Sequence, residues 1–241
     1  MSINLFLSTD DSARVARTFL NLARHDISRW VLTGGVAIEL HILRLGGKPI
    51  IRRLHDLDFV AASFDSIPES IGSEMLLRHV HPHDPPGKTM LQGVDPETGV
   101  RIDVFRAYGG EMERTSPITI AMLALRTVSL QDLVARHARL NWDLVEGRPV
   151  APKYARDFLR LIDLVTTDEV ERIWQEHRKP QSPESFAQTA LQLRRVIVSR
   201  SELLTPPRYS TDIYEVCPRC QGKGAFPLCD PRRVLSILGY C

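Results

Sequence analysis

Trp30-Val31-Leu32-Thr33 is a short apolar, β-favouring run that ends on Gly34-Gly35, and a helical pattern begins at once, from Val36 to Leu45. A strand passed straight into a helix through two glycines constrains the fold more than any other feature of the chain. Without side chains at the junction the backbone turns tightly, and the free amides at the helix start can come close to a phosphate. A tight turn alone also accounts for the pair, so the segments that follow must decide between the two.

Asp56-Leu57-Asp58 opens the next apolar strand, which runs to Ala61. Side chains at i and i+2 of a strand share a face and stand about 7 Å apart along the chain, so both carboxylates point the same way. Such a pair is costly unless solvent or a cation balances it. Mg²⁺ suits the task, because it takes oxygen ligands and keeps waters that a phosphate can replace. A third carboxylate, Asp103, lies in Val100-Arg-Ile-Asp-Val-Phe, the second arm of a hairpin whose first arm is Lys88 to Val94 and whose turn is Asp95-Pro-Glu-Thr-Gly99. If that arm lies beside the Asp56 strand, Asp103 completes a metal-holding cluster; otherwise it pairs with Arg101 or Arg106 as an ordinary ion pair. With the glycines on the phosphates, the three acids make a phosphoryl-transfer site. Asp56 and Asp58 bind metal ions, and Asp103 holds a second ion or takes the proton of an attacking hydroxyl.

Thr9-Asp10-Asp11 starts a helix with Val15, Phe19, Leu20 and Leu22 at helical spacing. Helix, strand, helix, strand and hairpin in that order predict an α+β fold: a small mixed sheet with helices packed on it. After about Thr115 the composition turns helical. Ser129-Leu-Gln-Asp132 is a variant capping box with Leu133, Leu140 and Leu144 on one face, and Pro152 starts another helix whose buried side carries Phe158, Leu161, Ile162 and Val165. A last helical stretch spans about Pro183 to Leu204. The chain thus divides into a core (1–115), a helical part (116–205) and a cysteine-containing tail (206–241).

Together these residues resemble the nucleotidyltransferase (polymerase β-like) superfamily, and within it the AbiEii-type toxins and related bacterial minimal nucleotidyltransferases. Leu32-Thr-Gly-Gly-Val-Ala-Ile-Glu-Leu40 is similar to their opening motif, and Arg52-Arg-Leu-His-Asp-Leu-Asp58 to their Arg-x-Thr-x-Asp-Ile-Asp, with Leu54 where Thr is usual. The likeness covers about residues 10 to 165. It implies a Mg²⁺-dependent transferase, with two ions, that moves a nucleotide from an NTP such as ATP to a hydroxyl of tRNA or protein, acting as a toxin with a cognate antitoxin or in phage defence. Gly34, Gly35 and Arg52 would meet the nucleotide. Arg136 would fill the first helical position and Lys153 with Asp157 the second, so that the helical part completes the site. Lys153 and Asp157 are i, i+4 and share a helix face, as do Asp132, Arg136, Arg139 and Asp143; solvated ion-pair faces explain the same spacing.

Cys217-Pro-Arg-Cys220, with Cys229 and Cys241, can supply four thiolates to Zn²⁺, and a reduced, loosely packed tail is the alternative. His79, His81 and His83 alternate, as metal ligands or as a strand edge would. Arginine dominates the basic residues: only Lys48, Lys88, Lys153, Lys179 and Lys223 are lysines among 31. The guanidinium fork suits phosphate, and codon bias is the plainer explanation of the excess. A net charge of +2 does not by itself argue for nucleic acid. A catalytically weak scaffold that binds RNA or a partner protein through basic helices and a zinc tail is the rival to the enzyme. No apolar stretch approaches the roughly 20 residues of a membrane helix, and the N-terminus lacks the basic lead of a signal peptide. The expectation is a cytoplasmic protein with no membrane partner.

Overall fold

The structure, a computed structural model, describes residues 3–52, 56–79 and 90–205. They form two compact units. One holds the described residues up to Ala107 together with Thr115–Thr127; the other holds Tyr108–Arg114 and the described residues from Val128 onward.

The first unit is built on a seven-stranded mixed sheet. Its strands are β1 (Trp30–Thr33), β2 (Asp56–Ala61), β3 (Leu76–His79), β4 (Met90–Val94), β5 (Arg101–Arg106), β6 (Thr115–Ile120) and β7 (Leu123–Val128), in the order β3-β4-β5-β2-β1-β7-β6. The helices of this unit are α1 (Thr9–Leu22), α2 (Gly34–Arg44) and the short α3 (Ile71–Glu74). The side chain of Ser8 caps α1 by accepting from the amide of Asp11, with Asp10 and Asp11 in the first turn, where they complement the helix dipole. Its apolar stripe of Val15, Phe19 and Leu22 is fully buried. Phe19 meets Phe59 of β2 edge-on with centroids 6.5 Å apart, and Trp30 of β1 lies 5.4 Å from the same ring. Phe59 alternates with Asp58, so the sheet buries its aromatic side against α1 and carries the acids on the opposite face.

The hairpin of β4 and β5 forms as its sequence predicts, with Asp95 and Gly99 closing the turn. The helical part does not begin at 116. Residues 115–128 instead fold as β6 and β7, and β7 adds parallel to β1 through Val31↔Arg126 and Leu32↔Thr127. The burial alternates along both strands, the strand period of two. Between them Ala121 and Met122 both sit at positive φ, +48° and +68°, a backbone that glycine or asparagine usually announces. That signal is missing here, which is why the hairpin is hidden in the sequence.

The second unit packs α4 (Leu130–Val145), α5 (Pro152–Ile162), α6 (Thr167–His177), α7 (Phe186–Val198) and α8 (Ser201–Leu204). Its core is made by Leu133, Ala138, Trp142, Phe158, Leu161, Trp174, Phe186 and Leu193, and the Trp174 and Phe186 rings meet at 5.8 Å. Ser129 caps α4 as expected, accepting from the amide of Asp132 at 3.0 Å. Leu140, expected on the buried stripe, is 37% exposed, because the buried arc of α4 turns instead through Asn141 and Trp142. Among the described residues no helix is long and apolar enough to cross a membrane.

Candidate active site

β2 pairs parallel with β5 so that Asp58 lies directly opposite Asp103 and Asp56 opposite Arg101. Neighbouring strands are about 4.8 Å apart and paired residues share a face, so the register alone brings the hairpin's aspartate to the other two. One oxygen from each of Asp56, Asp58 and Asp103 lies within 4.8 Å of the others. Asp56 and Asp58 are half-buried and Asp103 is 3% exposed. The donor set fits a hard divalent cation. It is all oxygen, anionic and part-solvated, which suits an ion that keeps some of its waters.

The row continues on both sides. Gln92 of β4 is the antiparallel partner of Asp103 and donates its amide to the Asp103 carboxylate at 2.8 Å. That bond fixes the most buried acid. On the other side Thr33 is paired with Asp58. Thr33 is buried, its hydroxyl has no hydrogen-bond partner among the described residues, and it precedes the first turn of α2.

Gly34 is glycine for two separate reasons. Its φ is +65°, where a side chain is strained, and a Cβ there would fall 1.9 Å from Asp58 Oδ2. The Asp58 carboxylate therefore lies against the start of α2, where free amides and the positive end of the helix dipole favour negative charge. From sequence the glycines are expected to serve a phosphate cradle or a tight turn; the geometry adds that Gly34 makes room for the acid.

Arg101 stands among the acids. Its guanidinium donates to Asp56, and its Nε lies 3.2 Å from Asp103 Oδ2. Burial pushes this group down, but the charges of Asp103, Asp56 and Asp58 and the bond to Asp56 outweigh it and hold it above its ordinary value. Asp103 thus both joins the acidic cluster and pairs with Arg101. Neither the Arg101 bridge to Asp56 nor the Gln92 contact is evident from composition; both are readable only once the register of β2, β4 and β5 is known.

Arg52 is engaged with a carboxylate. Its Nε donates at 2.6 Å to Oε1 of Glu39, a fully buried residue of α2 that also accepts from the amide of Ile50 at 3.0 Å.

Within the helical unit, Arg136 donates to both oxygens of the buried Glu111, at 2.7 and 2.6 Å, and lies over the ring of Tyr108 with Arg139. Lys153 is exposed on the first turn of α5, its ammonium 5.1 Å from the centre of the Tyr154 ring, whereas Asp157 is buried and lies 3.8 Å from Arg160. Asp132, on the face shared with Arg136 in sequence, is fully buried. It accepts from Ser129 Oγ at 2.5 Å, from Arg114 at 2.8 and 3.1 Å, and from Nε2 of His177 at 3.0 Å. Burial pushes Asp132 up, but the bonds from His177, Arg114 and Ser129 prevail and bring it down to about 2.

Cys217, Cys220, Cys229 and Cys241 lie outside the described residues, as do Leu54, His81 and His83. The chain matches no family model and no curated protein. Among solved structures it is similar to an antigenic nucleotidyltransferase-like protein from Paracoccidioides brasiliensis, at 18% identity over 82% of this chain and 92% of that one, with a TM-score of 0.43. It is also similar to a putative nucleotidyltransferase from H. pylori, at 13% identity over 86% of this chain and 100% of that one, with a TM-score of 0.31. Likenesses this distant carry no weight for the reaction, which rests on the site itself.

Proposed function

We propose that the protein is a Mg²⁺-dependent nucleotidyltransferase that moves a nucleotide from an NTP to an acceptor hydroxyl. The observation that carries the reading is the convergence of Asp56, Asp58 and Asp103 beside Gly34 at the start of α2. The three carboxylates would hold the metal, Gln92 would keep Asp103 oriented, and the amides of Gly34 and Gly35 would meet the phosphates. An Mg²⁺ ion held there would supply charge neutralisation for the triphosphate and a lowered pKa for the attacking hydroxyl. The acceptor oxygen then bonds to the α-phosphorus, the α–β bridging oxygen leaves with pyrophosphate, and the hydroxyl proton passes to a carboxylate, for which Asp103 is our assignment.

The sequence resemblance extends the proposal. The acceptor is tRNA or a protein side chain, the protein is the toxin of a cytoplasmic toxin–antitoxin or phage-defence pair, and Arg136, Lys153 and Asp157 contribute to nucleotide binding. Zinc in the cysteine tail belongs to the same extension.

The test uses NTPs labelled at the α- or the γ-phosphate, incubated with cell extract and Mg²⁺. The expected result is α-label on RNA or protein, no γ-label, and no transfer by Asp58→Asn. γ-Label on the acceptor would mean a kinase. No transfer by wild type, with RNA retained equally by wild type and Asp58→Asn, would favour the binding scaffold. Expression of wild type, and not of Asp58→Asn, should slow host growth.

A further inference from the structure

We propose that Arg101 is a built-in counter-cation of the acidic triad that a divalent ion must displace, so that this one side chain sets how readily the site loads. The proposal rests on the reading of Asp56, Asp58 and Asp103 as a metal centre.

The position of Arg101 is dictated by the sheet. It lies two residues before Asp103 on the same face of β5 and opposite Asp56 across the β2–β5 pair. Its guanidinium bridges Asp56 and Asp103 and also feels the charge of Asp58. The side chain is 26% exposed, so it has a route out to solvent that costs little packing.

Two features make this a displaceable contact. First, the contact with Asp103 is loose: among the described residues the buried Nε, 3.2 Å from Asp103 Oδ2, makes no hydrogen bond, so charge rather than fork geometry holds that side of the bridge. Second, Arg101 carries a single positive charge and engages two carboxylates of the cluster, Asp56 and Asp103. A divalent ion brings twice the charge at shorter range, and it needs oxygens of those same two carboxylates. An arginine also stays charged at every physiological pH, so the competition does not fade as it would with histidine.

The experiment is a titration of the full-length protein with Mn²⁺, read as loss of the free Mn²⁺ signal by electron paramagnetic resonance. Wild type, Arg101→Gln, Arg101→Lys and Asp58→Asn are compared. Arg101→Gln is expected to bind about tenfold tighter than wild type, and Arg101→Lys to fall between them. In EDTA, Arg101→Gln should melt lower than wild type, and it should gain more on addition of Mg²⁺. A readout on the wild-type protein needs no substitution: the Nε–H resonance of Arg101 should move when Mg²⁺ is added. Binding by Arg101→Gln that equals or falls below a measurable wild-type value, or an Arg101 resonance that stays in place as metal binds, would overturn the proposal and leave the metal centre standing. Equally weak binding by wild type and Asp58→Asn would remove the metal centre, and this proposal with it.

Discussion

Gly34 and Gln92 show what single residues contribute to the triad. Gly34→Ala forces a Cβ into the Asp58 carboxylate and a side chain into a left-handed backbone. The backbone term alone is about 1–2 kcal/mol. The variant should therefore melt lower than wild type and also lose metal binding, because Asp58 must move. A loss of stability with metal affinity intact would show that Gly34 serves only the turn. Gln92→Ala removes the amide that holds Asp103. Partners of this kind are worth about 10–100-fold in metal affinity, and a Mn²⁺ titration should return a loss in that range. The acids themselves are legible in the sequence, because an i, i+2 spacing needs only the strand period. Gln92 and the bridge from Arg101 to Asp56 are not, since both come from cross-strand neighbours that sequence spacing does not encode.

Elements differ in how openly the sequence declares them. α1, β1, α2, β2, the β4–β5 hairpin, α4 and α5 carry caps, glycines or apolar periods that name them. α6 has a capping box in Thr166 and Glu169, a signal present in the sequence but overshadowed by its polar composition. The β6–β7 hairpin is hidden because Ala121 and Met122 hold a turn that ordinarily uses asparagine and glycine. Replacing Ala121-Met122 by Asn-Gly should relieve that strain and stabilise the protein by about 1 kcal/mol or more, measured as a rise in the urea midpoint. No gain would mean that the turn carries no strain.

Asp132 offers an acid-stability test at the same scale. Its folded value of about 2 lies below the ordinary 3.8, so ionised Asp132 stabilises the fold. That contribution is complete above about pH 4 and is lost as the pH falls towards 2. Linkage puts it on the order of 2 kcal/mol. Unfolding free energies of wild type and Asp132→Asn should therefore differ most near neutrality and converge below pH 3. Parallel curves would mean that the His177, Arg114 and Ser129 bonds do not hold the carboxylate ionised. The buried Asp132–His177 contact joins α4 to α6, and that long-range pairing is invisible to a reading that sees Asp132 as part of a solvated face.

At the scale of the whole molecule, the chain forms a sheet unit and a helical unit, with residues 115–127 in the sheet unit. What gives the sheet unit its chemical character is register: β5 lies beside β2 with Asp103 at the level of Asp58. The most direct measurement is a crystal grown with Mn²⁺ and a non-hydrolysable NTP analogue, with data collected for anomalous scattering from the metal. The account predicts a peak with oxygens of Asp56, Asp58 and Asp103 at bonding distance, about 2.1 Å for an ion of magnesium's kind, and the analogue's phosphates beside Gly34. A metal bound elsewhere, with none at the three carboxylates, would contradict it.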